Sequence, residues 1–484
     1  MAVTALAAMQ ELESYLIKYE QDIFTLSDRI WEIAEIRFEE QQSVQLLTSY
    51  LKANGFEIET GLGGIETAFV AKYGTTGPII GILGEYDALP GLNQKGGATA
   101  REAFVEGANG HGCGHNLLGT AGVAAVMALK EWIAEGKIPG QIHYYGCPAE
   151  EGGSGKTFMV REGVFADVDI ALTWHPESYA GVWNRSSLAN YQVYFEFEGI
   201  AAHAANSPEL GRSALDAVEL MNVGVNYLRE HVPSNVRFHY AVTNTGGISP
   251  NVVQANAEVL YLIRGKDIKE VEQIYQRVVK IAEGAALMTE TMVKVKFDKA
   301  CSNYLPNDTI NQLLYKNLEA VGLPKYTKQE LAYAKQMAQT LTANEIQAGK
   351  NDVKDIAGGH NIDEAFLQMN GPFLNIVLPY EQSDKAMAGS TDVADVSWVV
   401  PTAQCFTPCF VFGTPLHTWQ VVSQGKTSIA HKGLLYAAKV MALTAIDLLR
   451  EPQLITKAKL EHAAQTNGSY VNPIPAHVKP NMNK

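Results

Sequence analysis

The spacing of apolar residues changes along the chain, and each change predicts an element. In residues 11–35, Leu12, Tyr15, Leu16, Tyr19, Ile23, Leu26, Ile30 and Ile33 recur at helical spacing, and residues 43–54 continue as a shorter helix. Residues 68–73 read as a strand. Residues 78–83, 141–147, 168–174 and 409–412 are short apolar runs, the pattern of strands buried on both faces of a parallel sheet. Residues 117–129 form a longer apolar run containing Gly119, Gly122 and several alanines, which predicts a buried helix.

A different order follows. Residues 189–198 alternate like a half-exposed strand, 213–231 form an amphipathic helix, 237–243 and 255–264 are strands, 269–288 a helix and 292–297 a strand. This β-α-β-β-α-β succession is that of a ferredoxin-like unit. The chain therefore divides into the first part of a main domain (1–187), an inserted domain (188–300) and the second part of the main domain (301–484). In that last part, residues 342–363 are a polar excursion expected to be a surface loop, 427–449 a long helix, and the Pro-rich stretch after Asn467 a tail. The expected fold is α/β, a mixed and largely parallel sheet with helices on both faces, carrying an α+β insert.

Chemistry sits where the predicted strands end. Residues 78–83 run into Glu85 and Asp87, 141–147 into Glu150 and Glu151, 168–174 into His175, and 409–412 precede His417. In open α/β sheets ligands bind beyond the carboxyl ends of parallel strands, so four such ends describe one site. Residues 109–116 read NGHGCGHN, with Cys113 and His115 two apart on a glycine-rich backbone that can bend closely around a metal ion. The Glu150-Glu151 pair follows a buried strand and precedes two glycines. One carboxylate can then bind metal while its neighbour faces the water; we read Glu151 as the ligand and Glu150 as the general base.

Composition narrows the partners. The 484 residues include 38 basic and 52 acidic ones, a formal charge of −14, with no basic cluster to follow a phosphate backbone, so nucleic acid is not expected. An anionic substrate must be held by local cations. The five cysteines are too few and irregular for a disulfide framework, and Cys405 and Cys409 read as buried thiols. The N-terminus lacks the pattern of a signal peptide, and no apolar run reaches the roughly 20 residues of a membrane helix. A cytoplasmic protein without a membrane partner is expected.

The stretches GEYDALPGL, NGHGCGHNLLGT, GCPAEEGGSGKTFMVREGVF, TWHPE, GIAAHAANSPELGRSALDAV, GGISPNVVQA, STDVADVSW and GTPLHTWQ occur in this order along nearly the whole chain. In this series the chain resembles the aminoacylase and glutamate-carboxypeptidase family of co-catalytic metallohydrolases, in the branch with a His-x-Cys-Gly-His motif. The resemblance implies a zinc-exopeptidase-like main domain and two divalent metal ions held by Cys113, His115, Glu151, His175 and His417. A thiolate, three imidazoles and a carboxylate suit first-row ions such as zinc or manganese alike; it is the resemblance that favours manganese, with zinc the alternative. Asp87 would orient a ligand histidine, with His111 also behind the ligands. His203, in the insert, would donate to the oxyanion from the lid of a partner protomer. Asn251 and Arg264 match substrate-binding positions, and Arg264 suits a terminal carboxylate. The implied substrate is an N-acyl or N-aroyl amino acid such as p-aminobenzoyl-glutamate, cleaved by a homodimer or by a heterodimer with a homologous subunit. The alternatives are a broader N-acyl-amino-acid amidohydrolase or dipeptidase, or a metal-binding regulatory subunit. Two positions depart from the family. Asn116 stands where an Asp follows the second motif histidine, and Glu85-Tyr86-Asp87 stands where other branches have His-x-Asp.

Overall fold

The computed structural model describes residues 2–480. The chain opens with helices α1 (Ala2–Ile33) and α2 (Gln41–Ala53), then strands β1 (Glu57–Thr60), β2 (Phe69–Tyr73) and β3 (Ile79–Gly84). A long loop leads to α3 (His115–Ala134), followed by β4 (Gln141–Gly146), α4 (Gly155–Arg161), β5 (Ile170–Glu177) and β6 (Gly181–Val182). The insert holds β7 (Ala189–Glu198), α5 (Ala214–Leu228), β8 (Arg237–Asn244), β9 (Asn256–Gly265), α6 (Ile268–Thr289) and β10 (Met292–Cys301). The chain returns through α7 (Asp308–Val321), α8 (Lys328–Ala338), α9 (Ala343–Ile356), β11 (Thr402–Pro408), α10 (Ser428–Arg450) and α11 (Pro452–Thr466).

The main sheet has the order β1-β2-β4-β3-β5-β11-β6. Its central four strands β4, β3, β5 and β11 are parallel neighbours, and β1, β2 and β6 close the edges antiparallel. The apolar runs expected to be parallel strands therefore lie next to each other, with one correction. Residues 409–412 are not a strand; the ladder is formed by Thr402–Pro408 and ends at Pro408, after which the Cys409 N–H donates to the Glu177 carbonyl at 2.7 Å. Residues 409–412 are apolar because they are buried, and burial alone does not select the extended ladder.

Helix α3 covers the sheet at close range. A Cβ at Gly119 would come within 2.5 Å of the Glu85 carbonyl oxygen, and one at Gly122 within 2.9 Å of the Tyr144 ring. These glycines are what the close helix–strand approach requires. Helices α1 and α10 pack on α3, so this helix, apolar enough to be mistaken for a membrane span, is a core element.

The insert is a four-stranded antiparallel sheet of order β10-β7-β9-β8, which is the ferredoxin-like arrangement. Val193, Phe195, Phe197, Val259, Tyr261 and Ile263 point to the side covered by α5 and α6 and are buried. The alternate residues, among them Asn190, Gln192 and Arg264, face the other way, toward the main domain.

Two further expectations need correction. Most of residues 342–363 is not a loop, since Ala343–Ile356 is helix and only 357–362 is irregular. Thr342 and Glu345 form a reciprocal capping box, and Val353 and Ile356 are buried on helix α9, so caps and sparse apolar positions outweigh an otherwise polar composition. The C-terminal tail is also docked: Ile474 and Val478 are buried, and Arg161 donates to the Pro475 and Val478 carbonyls at 3.1 and 2.9 Å.

Candidate active site

The carboxyl ends of β4, β3, β5 and β11 converge on a cavity of about 370 Å³. Each end leads to side chains that the sequence singled out. His175 lies within β5, Glu150 and Glu151 begin a short helical turn after β4, and Glu85 and Asp87 follow β3. The turn after β4 is tight, with Ala149 at φ +58. Helix α3 starts at His115, directly after Gly114 at φ +79, where a Cβ would lie 2.9 Å from Pro176. His417 also has a left-handed backbone, φ +60, and its N–H donates to the Gly112 carbonyl at 2.7 Å, which fastens its loop to the Cys113 loop.

The candidate ligands come together. The donor atoms of Cys113, His115 and His175 lie within 4.8 Å of one another, as do those of Cys113, Glu151 and His417. Cys113 Sγ is 3.3 Å from His175 Nε2, and His175 Nδ1 is 2.9 Å from the Pro176 carbonyl, which fixes the proton on Nδ1 and turns the Nε2 lone pair toward the thiol. Burial, then the neighbouring His115, lower the His175 pKa to about 3, so the ring is neutral.

Two buried atoms in this cluster lack hydrogen-bond partners: His115 Nε2 and Glu151 Oε1. The first is 3.2 Å from Glu85 Oε2 and the second 3.2 Å from His417 Nε2, at ion-pair distance but without hydrogen-bonding geometry. Buried polar atoms seldom stay unsatisfied, and a sulfur, nitrogen and oxygen donor set of this kind fits first-row divalent ions. Burial opposes ionisation of Glu151, but the His417 and His115 imidazoles outweigh it and hold the carboxylate at about 2. Burial, then Glu151, push the Cys113 thiol up; a divalent cation is what would make its thiolate the favoured form.

Behind the candidate ligands, Asp87 Oδ1 is 2.9 Å from His115 Nδ1, and Asp87 Oδ2 accepts the Glu151 N–H at 2.9 Å. His111 is buried with its Nε2 3.0 Å from the Ile30 carbonyl, tying the loop to α1. Asn116 turns away from the cluster and donates to Ser27 Oγ and the Gly425 carbonyl. Glu150 lines the cavity; burial, then Glu85, Glu151 and Asp392, raise its pKa well above the usual carboxylate range.

The insert contributes one wall of the cavity, including Arg264, whose Nη1 donates to Ser390 Oγ at 2.7 Å. His203 and Asn251 do not line this cavity. They are exposed neighbours: His203 bridges Val252, and Asn251 accepts the Ala204 N–H through its backbone. His203 Nδ1 accepts the N–H groups of Ala205 and Asn206, which leaves Nε2 as the protonated nitrogen.

Several residues of the site escaped the sequence. Lys156 is fully buried with its Nζ 2.6 Å from Glu85 Oε1 and 2.5 Å from Asp392 Oδ1. Lys299 and Glu177 line the cavity, and Trp174, Trp183, Phe406, Leu118 and Leu416 form its apolar wall. Only Glu177 carried a local signal, standing two residues after His175 on the same strand. A larger hollow of about 640 Å³ beside Trp31 and Phe104 holds none of the candidate ligands.

The chain is similar to known proteins along most of its length. Residues 81–367 match Peptidase family M20/M25/M40. The chain is 53% identical to one of the subunits of p-aminobenzoyl-glutamate hydrolase from Escherichia coli (strain K12), covering 98% of this chain and 99% of that protein. It is 26% identical to the Xaa-Arg dipeptidase of Homo sapiens, covering 89% and 86%. Its fold matches that of a dinuclear metal-binding peptidase of the M20 family from Bacillus subtilis with a TM-score of 0.53 at 16% identity, covering 90% and 99% of the two chains. With a family match over most of its length and a relative alike from end to end, the chain belongs to peptidase family M20/M25/M40 and is a hydrolase of amide bonds.

Proposed function

We propose that this chain cleaves the amide bond of p-aminobenzoyl-glutamate, or of a closely related N-aroyl or N-acyl amino acid, with water activated at a pair of divalent cations. The observation that carries the reading is the convergence of Cys113, His115, His175, Glu151 and His417 into two overlapping donor groups that share Cys113. In this reading Cys113, His115, His175, Glu151 and His417 would hold the two ions, and manganese is preferred to zinc. When bound, such ions polarise the scissile carbonyl and lower the pKa of water.

The chain's own groups do the rest. Glu150 takes the proton from the attacking water and gives it to the leaving nitrogen. Asp87 fixes the ring of His115 through Nδ1, which leaves Nε2 as the lone-pair donor that would bind a cation. The wall of Trp174, Trp183 and Phe406 accepts the aromatic acyl group, and Arg264 holds the terminal carboxylate of the amino acid. His203 and Asn251, exposed and outside their own cavity, serve the site of a partner protomer, where His203 Nε2–H donates to the oxyanion. The partner is a second copy or, as the subunit nature of the Escherichia coli relative suggests, a homologous chain. Five cysteines that are all free and buried suit the reducing cytoplasm.

A second reading, a broader amidohydrolase or dipeptidase, is favoured by the likeness to the Xaa-Arg dipeptidase. A purely regulatory role is disfavoured because Glu150 is retained. The test is release of p-aminobenzoate from p-aminobenzoyl-glutamate by purified protein loaded with manganese or zinc, alone and with a homologous partner chain, compared with hippurate and Xaa-Arg dipeptides. Turnover of the first substrate above the others is expected. Full metal occupancy with no release in any combination would overturn the proposal.

A further inference from the structure

We infer that Lys299 reads a second carboxylate on the amino-acid half of the substrate, so that the cavity selects amides of acidic amino acids. The inference rests on the amidohydrolase reading and adds a specificity residue to it. Arg264 on β9 pairs with Asn190 on β7, and Lys299 on β10 pairs with Gln192 on the same strand. The two cations therefore flank β7 on the face of the insert that looks into the cavity, offset by one two-residue step.

Both cations lack an acidic partner. Among the described residues no carboxylate oxygen lies within 4.0 Å of either, although the buried Lys156 has two such partners and Arg37 is matched by Asp298. Arg264 donates to the Ser390 hydroxyl, and Lys299, 7% exposed, donates to the Glu151 carbonyl at 3.3 Å. A cation withdrawn from water without a counter-ion is costly, and the fold accepts a buried one, Lys299, beside a half-buried one, Arg264, on one wall. An arriving dianion removes both deficits at once. The overall charge of −14 gives no long-range attraction for such a ligand, so recognition must be built from contacts like these.

The positions divide the work. The guanidinium of Arg264 suits two-point binding of the fixed α-carboxylate, and the compact ammonium of Lys299 suits a side-chain carboxylate at the end of a flexible stem. Between them, the buried Asn190 Oδ1 has no hydrogen-bond partner and is placed to accept the amide N–H of the same residue. An arginine side chain brought to this wall would meet two like charges, which sets this chain apart from a dipeptidase that removes C-terminal arginine.

The experiment compares p-aminobenzoyl-glutamate with its neutral isostere p-aminobenzoyl-glutamine on the wild-type holoenzyme, Lys299→Met and Lys299→Arg. We expect Lys299→Met to raise KM for the glutamate substrate by about 10- to 100-fold, to leave kcat/KM for the glutamine substrate within a few-fold, and Lys299→Arg to recover most of the preference. A preference for glutamate unchanged in Lys299→Met, whatever the loss of absolute rate, overturns the inference, because loss of the Glu151 contact would slow both substrates alike. Binding to the manganese-loaded Glu150→Gln protein separates this inference from the activity itself. If the wild type hydrolyses neither compound, a binding preference for glutamate that disappears with Lys299→Met still upholds the reading of Lys299, and its absence sinks it.

Discussion

The carboxylate of Asp87 stands 2.9 Å from Nδ1 of His115, and its other oxygen accepts the backbone N–H of Glu151. One buried side chain thus orients two candidate ligands that lie 36 positions apart in the sequence. Replacing Asp87 by Ala should weaken metal binding by about 10- to 100-fold, as expected when the group behind a ligand histidine is lost. Metal titration of the apo-protein checks this; an affinity within two-fold of wild type would show that His115 is positioned without Asp87.

Glu150 and Glu151 are neighbours with different expected failures. Glu150→Ala should keep its metal and lose turnover by about 10²-fold or more, the scale of a missing general base. Metal analysis and rate measurement on the same sample separate the two. Loss of metal from the Glu150 variant would exchange the roles.

Among the described residues Cys113 is the one cysteine in the donor groups; the other four are buried, and of these Cys301 also lines the cavity. Cys113→Ser should lower metal occupancy, and a thiol reagent should inactivate the apo-enzyme faster than the holo-enzyme, since a coordinated thiolate is shielded. Equal inactivation rates in the two forms would count against ligation by Cys113.

His203 lies outside the cavity of its own chain. If it completes a partner's site, His203→Ala and Glu150→Ala chains, each nearly inactive, should regain activity when mixed and allowed to exchange, because one site in each mixed dimer has both residues. Proven exchange without recovery would place its action within one chain or remove it from catalysis. In a heterodimer the recovery would be confined to pairs of the two different subunits.

His143 on β4 is 3% exposed, and burial lowers its pKa to about 4 from 6.5. As pH falls the unfolded chain takes up the proton first, so this group costs stability progressively between pH 6.5 and 4. His143→Gln should make the fall of stability with acidification shallower in that window, by at most about 1.4 kcal/mol per pH unit. Denaturant unfolding of the metal-free proteins at several pH values measures it; parallel curves would mean that the histidine titrates alike in both states.

Much of the fold was legible because its causes are local. Strands buried on both faces must be continuously apolar, and helices with one buried face must repeat at 3.6 residues, so the order of elements and the ferredoxin-like insert could be read directly. The ends of those strands also marked Asp87, Glu150, Glu151 and His175, since a parallel sheet places its strand ends side by side. Where one local cause can produce two structures, the sequence misled: residues 409–412 are apolar through burial alone, and residues 342–363 are polar yet capped into a helix. Strand register and side-chain pairing between distant segments were decided only in three dimensions. The pairing of Lys156 with Glu85 and Asp392, and the lack, among the described residues, of a carboxylate at ion-pair distance from Lys299 and Arg264, depend on segments far apart in the chain meeting at one wall. A charge in a sequence does not reveal whether it is neutralised, because that depends on what the folded chain brings within a few ångströms of it.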